Sequence, residues 1–85
     1  MNEIRILGLS VFDRIKEAGK TQKILSKYAD IIKTRLGFHE VSEDVASRHG
    51  FIILELSGNN KEWDKLETEL SEIGGLQTKQ MSFNI

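Results

Sequence analysis

Phe51-Ile52-Ile53-Leu54-Glu55-Leu56 is the most continuous apolar run in the chain, and its reading decides the fold. Gly50 bounds it on one side and Ser57-Gly58-Asn59-Asn60 on the other. A short run of β-branched, aromatic and leucine side chains between turn signals marks a strand covered on both faces. Side chains alternate along a strand, so Ile52, Leu54 and Leu56 share one face while Phe51, Ile53 and Glu55 share the other. A chain of 85 residues makes one domain, residues 1–85, with a thin core. It cannot easily cover both faces of such a strand, so a second copy is expected to supply one cover.

Composition narrows the function classes. With no cysteine, the chain has no disulfide, thiolate metal site or thiol nucleophile, and it has no proline either. Twelve basic and thirteen acidic residues give a formal net charge of −1. That balance argues against a nucleic-acid or anionic-membrane surface, which calls for a basic excess. No apolar run approaches the length of a membrane span, and Met1-Asn2-Glu3-Ile4-Arg5 lacks the character of a signal peptide. A cytoplasmic protein is the expectation.

Outward from the central run, Ile4 to Phe12 is the first strand, with Ile4 and Ile6 on one face and Leu7, Leu9 and Val11 on the other. Gly8 within it signals a bulge or a close approach by another backbone. Asp13 is placed to cap a helix, with Ala18, Ile24, Leu25, Tyr28 and Ala29 as its buried stripe and Glu17, Lys20 and Lys23 on its solvated side. Ile31 to Leu36 fits a continued helix and an alternating strand equally well. His39 to His49 is polar and turn-like, a hairpin connection or an extended ribbon leading back into Phe51–Leu56. Asn59-Asn60-Lys61-Glu62 resembles a capping box, and Trp63, Leu66, Leu70 and Ile73 then step along one helical stripe, with Glu62, Asp64, Glu67, Glu69 and Glu72 on the solvated side. Gly74-Gly75 ends that helix. Leu76 to Phe83 is the last strand, whose apolar phase shifts from Leu76 and Thr78 to Met81 and Phe83. A bulge near Lys79, or burial of both faces at one end, accounts for such a shift.

Strand, helix, strand, strand, helix, strand is the ferredoxin-like split βαβ plan. The fold class is α+β, an antiparallel four-stranded sheet with two helices on one face. The first and third strands take the centre, and the other face is left asking for a partner.

Candidate chemistry is sparse. His39 and His49, with Glu40, Glu43 and Asp44, offer oxygen and nitrogen donors without the spacing of a metal site, so no metal is assigned. His49-Gly50-Phe51 invites comparison with the RNA recognition motif, which shares the plan. The second stacking aromatic falls on Ile53, however, and Arg5 stands in the first strand where an aromatic is wanted. No nucleophile–base set or phosphate loop is visible, so neither enzymatic activity nor a cofactor is expected.

From Ile6 to about Phe83 the chain resembles the iron-only hydrogenase system regulators, small bacterial proteins close to the ACT domain and to the C-terminal domain of the nickel-responsive repressor. The residues that carry the resemblance are the first strand ending in Asp13, Ile31-Ile32-Lys33-Thr34-Arg35-Leu36-Gly37-Phe38, the apolar third strand, and Gly75-Leu76 followed by Lys79. Where the family has proline after the position of Phe38, this chain has His39, and its connection from Glu40 to Gly50 is longer. The resemblance implies that Ile31–Phe38 is an edge strand. It also implies a homo-oligomeric regulatory module that binds a small polar ligand such as an amino acid. The alternative is a protein-interaction subunit with no small-molecule ligand. Arg35, Gly37, Phe38 and His39 are the expected ligand site. Gly37 lets a backbone amide approach, Arg35 offers a planar fork for a carboxylate or phosphate, and Phe38 supplies an apolar wall.

Overall fold

The structure, a computed structural model, describes residues 3–41 and 46–85, with side chains described for 3–38 and 48–85. Four strands and two helices follow the expected order. They are β1 (Glu3–Val11), α1 (Ala18–Lys27), β2 (Ile32–Val41), β3 (Ala46–Leu56), α2 (Asn60–Ser71) and β4 (Leu76–Asn84). The sheet is antiparallel in the order β2-β3-β1-β4, so the two most apolar strands lie at its centre. Ile31 to Leu36 resolves as a short 3-10 turn, Ala29–Ile31, followed by the edge strand. Two register shifts, between Ile32 and Thr34 and between His39 and Val41, interrupt that edge. Of the polar segment from His39 to His49, the described parts are strand, since β2 runs to Val41 and β3 begins at Ala46; residues 42–45 lie outside the described residues.

Both helices lie on one face. Leu7, Leu9, Leu54 and Leu56 from the sheet meet Trp63, Leu66 and Leu70 from α2, and all seven are fully buried. Leu25, Tyr28 and Ile73 complete the layer. Asn59 caps α2 as its sequence signalled, its side-chain oxygen accepting from the Glu62 amide at 3.1 Å. Gly75, with φ near +80°, takes the left-handed conformation that lets the chain turn from α2 into β4.

Several local expectations are corrected. Asp13 caps a turn rather than the helix, accepting from the Ile15 and Lys16 amides at 3.1 and 3.0 Å, while α1 begins only at Ala18. A capped turn and a capped helix carry the same residue signature. The buried face of α1 is phased on Thr21, Leu25 and Tyr28, so Ala18 and Ala29 are exposed and Glu17, expected in solvent, is buried. β4 pairs with β1 without a register shift from Glu3↔Asn84 to Val11↔Leu76, so there is no bulge near Lys79. Its apolar phase changes because Met81 and Phe83 belong to the face away from the helices. Gly8 is neither bulged nor closely approached, since a Cβ there would meet nothing nearer than the Lys79 carbonyl oxygen at 3.8 Å.

Arg5 lies on the helix side of β1. It shares the helix face with Leu7 and is buried, its guanidinium 2.9 Å from both Asp64 and Glu67 and stacked over the Trp63 ring at 5.1 Å. Part of the acidic side of α2 is thereby tied to the sheet rather than only solvated. Glu69 is tied in the same way, accepting from the Tyr28 hydroxyl and from Lys27.

Candidate functional site: the open sheet face

The register fixes which side chains meet on the face that no helix covers. Reading across the sheet, one row is Leu36, Ile53, Gly8 and Lys79, and the next is Phe38, Phe51, Ser10 and Gln77. Below them lie Thr34, Glu55, Ile6 and Met81, with Ile4 and Phe83 beyond. Leu36, Phe38, Phe51, Ile53, Met81 and Phe83 are all between 40 and 57 % exposed. Scattered exposed leucines are ordinary; six large apolar side chains on one contiguous face are not.

At one end of this face aromatic rings form a chain. Phe38 stacks on Phe51 with centroids 5.4 Å apart, His49 stacks on Phe51 at 4.7 Å, and Phe12 meets His49 edge-on at 6.3 Å. The Ser10 hydroxyl oxygen and His49 Nε2 are 2.7 Å apart, which anchors the imidazole over the centre of the sheet. The missing side chain at Gly8 leaves a hollow of about 260 Å³, whose lining includes Gly8, Ser10, Phe38, Phe51, Ile53 and Lys79. Lys79 makes no ion pair among the described residues. A more voluminous depression, about 450 Å³, lies beside the turn between β3 and α2, with Ser57, Gly58, Asn59 and Asn60 in its wall. The cap of α2 already occupies part of that polar surface.

Of the expected ligand residues, Arg35 and Phe38 stand on opposite faces of β2. Arg35 stands opposite Leu54 on the helix side of β2 and donates to the Gln22 side chain of α1 at 2.9 Å. Phe38 stands opposite Phe51 on the open side. Gly37 is opposite Ile52, and a Cβ there would meet only ordinary contacts near 4.0 Å, so no unusual backbone approach is created. His39 pairs in register with Gly50. Of Arg35, Gly37 and Phe38, Phe38 alone lines the hollow; the His39 side chain lies outside those described. Among the described residues no three His, Asp or Glu side chains converge as a metal site would need, and Glu43 and Asp44 lie outside them. Gly8, Ser10, Ile53 and Lys79 went unnoticed as a group because three different strands contribute them. The one local signal was a glycine inside a strand.

No family model matches the chain, and no curated protein does so either. Among solved structures, the uncharacterized protein TM1266 from Thermotoga maritima superposes with a TM-score of 0.82 at 23 % identity, over 96 % of this chain and 99 % of that one. A dimeric ferredoxin-like protein of unknown function from Thermobifida fusca gives 0.48 at 10 % identity, over 96 % and 92 %. The likeness to the Thermotoga protein covers nearly the whole of both chains, and what it shows is the ferredoxin-like fold. No described helix is long and apolar enough to cross a membrane.

Proposed function

We propose that the protein is a homodimeric effector-binding module that pairs with a second copy through its open sheet face. The observation that carries this reading is the contiguous exposure of Leu36, Phe38, Phe51, Ile53, Met81 and Phe83. Over the nine-residue length of β1 and β4, four strands about 4.8 Å apart with a rise of about 3.3 Å per residue span a footprint of roughly 600 Å² before side-chain relief is counted. That approaches the roughly 800 Å² per partner of a stable interface. A net charge of −1 sets up little repulsion between two copies. A two-fold axis through the face lets each apolar row meet its own symmetry mate. A regulatory role, as the family resemblance implies, fits a module whose assembly depends on what occupies the shared face.

Sedimentation at micromolar concentration tests the reading. The native chain is expected to sediment as a dimer. Ile53→Asp, which places an unpaired carboxylate at the centre of the contact, is expected to give a folded monomer with unchanged far-UV circular dichroism. A native monomer overturns the reading and favours the interaction subunit, whose different partner protein would occupy the same face.

A further inference from the structure

We propose that the hollow over Gly8 binds a small aromatic carboxylate that carries no ammonium group. The inference rests on the self-association proposed above only for closure of the site. Its contacts all come from one chain.

Size is the first argument. The hollow is about 260 Å³, and an apolar cavity of about 150 Å³ suffices to hold benzene. One aromatic ring with a short acidic arm therefore fits. Shape is the second. The wall on the β3 side is the stacked pair Phe38 and Phe51 together with Ile53, and the floor is bare backbone at Gly8. A flat ring can lie on that floor against the aromatic wall, in the offset or edge-on geometries that ring quadrupoles prefer.

Charge decides the class. The rim opposite the aromatic wall is Lys79 with Gln77. The Lys79 ammonium has no ion pair among the described residues, so it is available to a carboxylate at the end of the ring's arm. Among the described residues no acidic side chain lines the hollow. Glu55, the carboxylate on the same face, is taken up by Thr34 at 2.9 Å and Lys33 at 3.9 Å. An amino acid would bring an ammonium group to a site with no anionic partner among the described residues, and such a group is costly to desolvate. The geometry thus selects an aromatic acid over the amino acid expected from the family resemblance, and over an aromatic amine. When the second copy closes over the face, the lower dielectric strengthens the contact with Lys79.

Calorimetric titration of the full chain with phenylacetate, phenylacetamide and phenethylammonium, alongside sedimentation, tests the proposal. Phenylacetate is expected to bind saturably at millimolar concentration or below, and the other two at least about tenfold more weakly, the scale of one lost charge contact. Gly8→Val fills the floor and should abolish phenylacetate binding. If that variant does not fold, Lys79→Gln, on an exposed edge position, carries the same test. It should weaken phenylacetate about tenfold and leave phenylacetamide unchanged. Absence of saturable phenylacetate binding overturns the proposal, as does binding unaffected by both substitutions. A native dimer that ignores phenylacetate removes the site and leaves the assembly reading standing. A native monomer that binds phenylacetate in a Gly8-dependent way removes the assembly reading and leaves the site. If Gly8→Val dissociates the dimer while no probe binds, the hollow is a socket for the partner copy's side chain and the ligand proposal fails.

Discussion

Leu54 and Ile53 are neighbours in sequence and opposites in environment. Leu54 faces the helices with no exposure at all, while Ile53 on the other side of the same strand is 40 % exposed. Both faces of the central strands carry large apolar residues, yet the described residues supply a covering layer for only one. One side of the sheet is therefore a finished core and the other an interface awaiting material from outside. A residue's hydrophobicity reports that it will be buried, and topology reports by what.

The sharpest way to break this comparison is to truncate both neighbours. Leu54→Ala should cost about 2–5 kcal/mol at any protein concentration, as expected when a fully buried leucine leaves a cavity. Urea unfolding measures it, and a cost that varies with concentration would contradict the assignment of Leu54 to the chain's own core. Ile53→Ala should leave the monomer's stability within about 1 kcal/mol and remove the concentration dependence of Tm that a dimer shows.

A second cut tests the helical cover alone. Asn59→Ala removes the cap of α2 and should cost about 1 kcal/mol. Because the helices lie on the finished face, the dimer constant measured by sedimentation should not change.

Acid provides a subtler probe of the same layer. The Tyr28 hydroxyl, and after it Lys27, donates to Glu69 and holds its carboxyl below the ordinary glutamate range. A depressed folded value means a stabilising contribution that is full above the unfolded pKa, about 4.3. That contribution is lost as pH falls through the lower folded value. Glu69→Gln should therefore flatten the acid limb of the stability–pH profile below about pH 4.3. The same contact pushes Tyr28 upward, through its hydrogen bond to Glu69 and then burial. Its contribution is present below the tyrosine range and fades above it, so the alkaline limb should flatten as well.

The smallest effect is expected at Arg35. Its bond to Gln22 is exposed, so Arg35→Ala should shift stability by no more than about 0.5 kcal/mol. It should also leave phenylacetate binding intact. A lost calorimetric signal would return the ligand site to the end of β2.

The element order and the central position of β1 and β3 were legible because both rest on local apolar runs and turn residues. The Asn59 cap and the Gly75 turn were legible for the same reason. What failed was non-local or degenerate. Asp13 signals a cap without saying whether a helix follows at once. Met81 and Phe83 break the phase of Leu76 and Thr78 because they lie on the open face, in line with Gln77 and Lys79. The expected ligand group was drawn from closeness in sequence, which strand alternation does not turn into closeness in space. Arg35 and Phe38 are three residues apart, and strand alternation sends them to opposite faces. Gly8, Ile53 and Lys79 come together only through a register that no single segment encodes.

The interruptions in β2 have a consequence for growth. A sheet with two regular edges can add copies edge to edge without limit, each new strand offering another template, and that is how folded domains polymerise. The breaks in pairing at Ile32/Thr34 and His39/Val41 spoil one of the two templates. β4 remains regular, but a β4 edge joined to another β4 edge exposes only interrupted β2 edges beyond it. Copies of this chain can then close on one another in finite sets, and the route to a fibril lacks its second step.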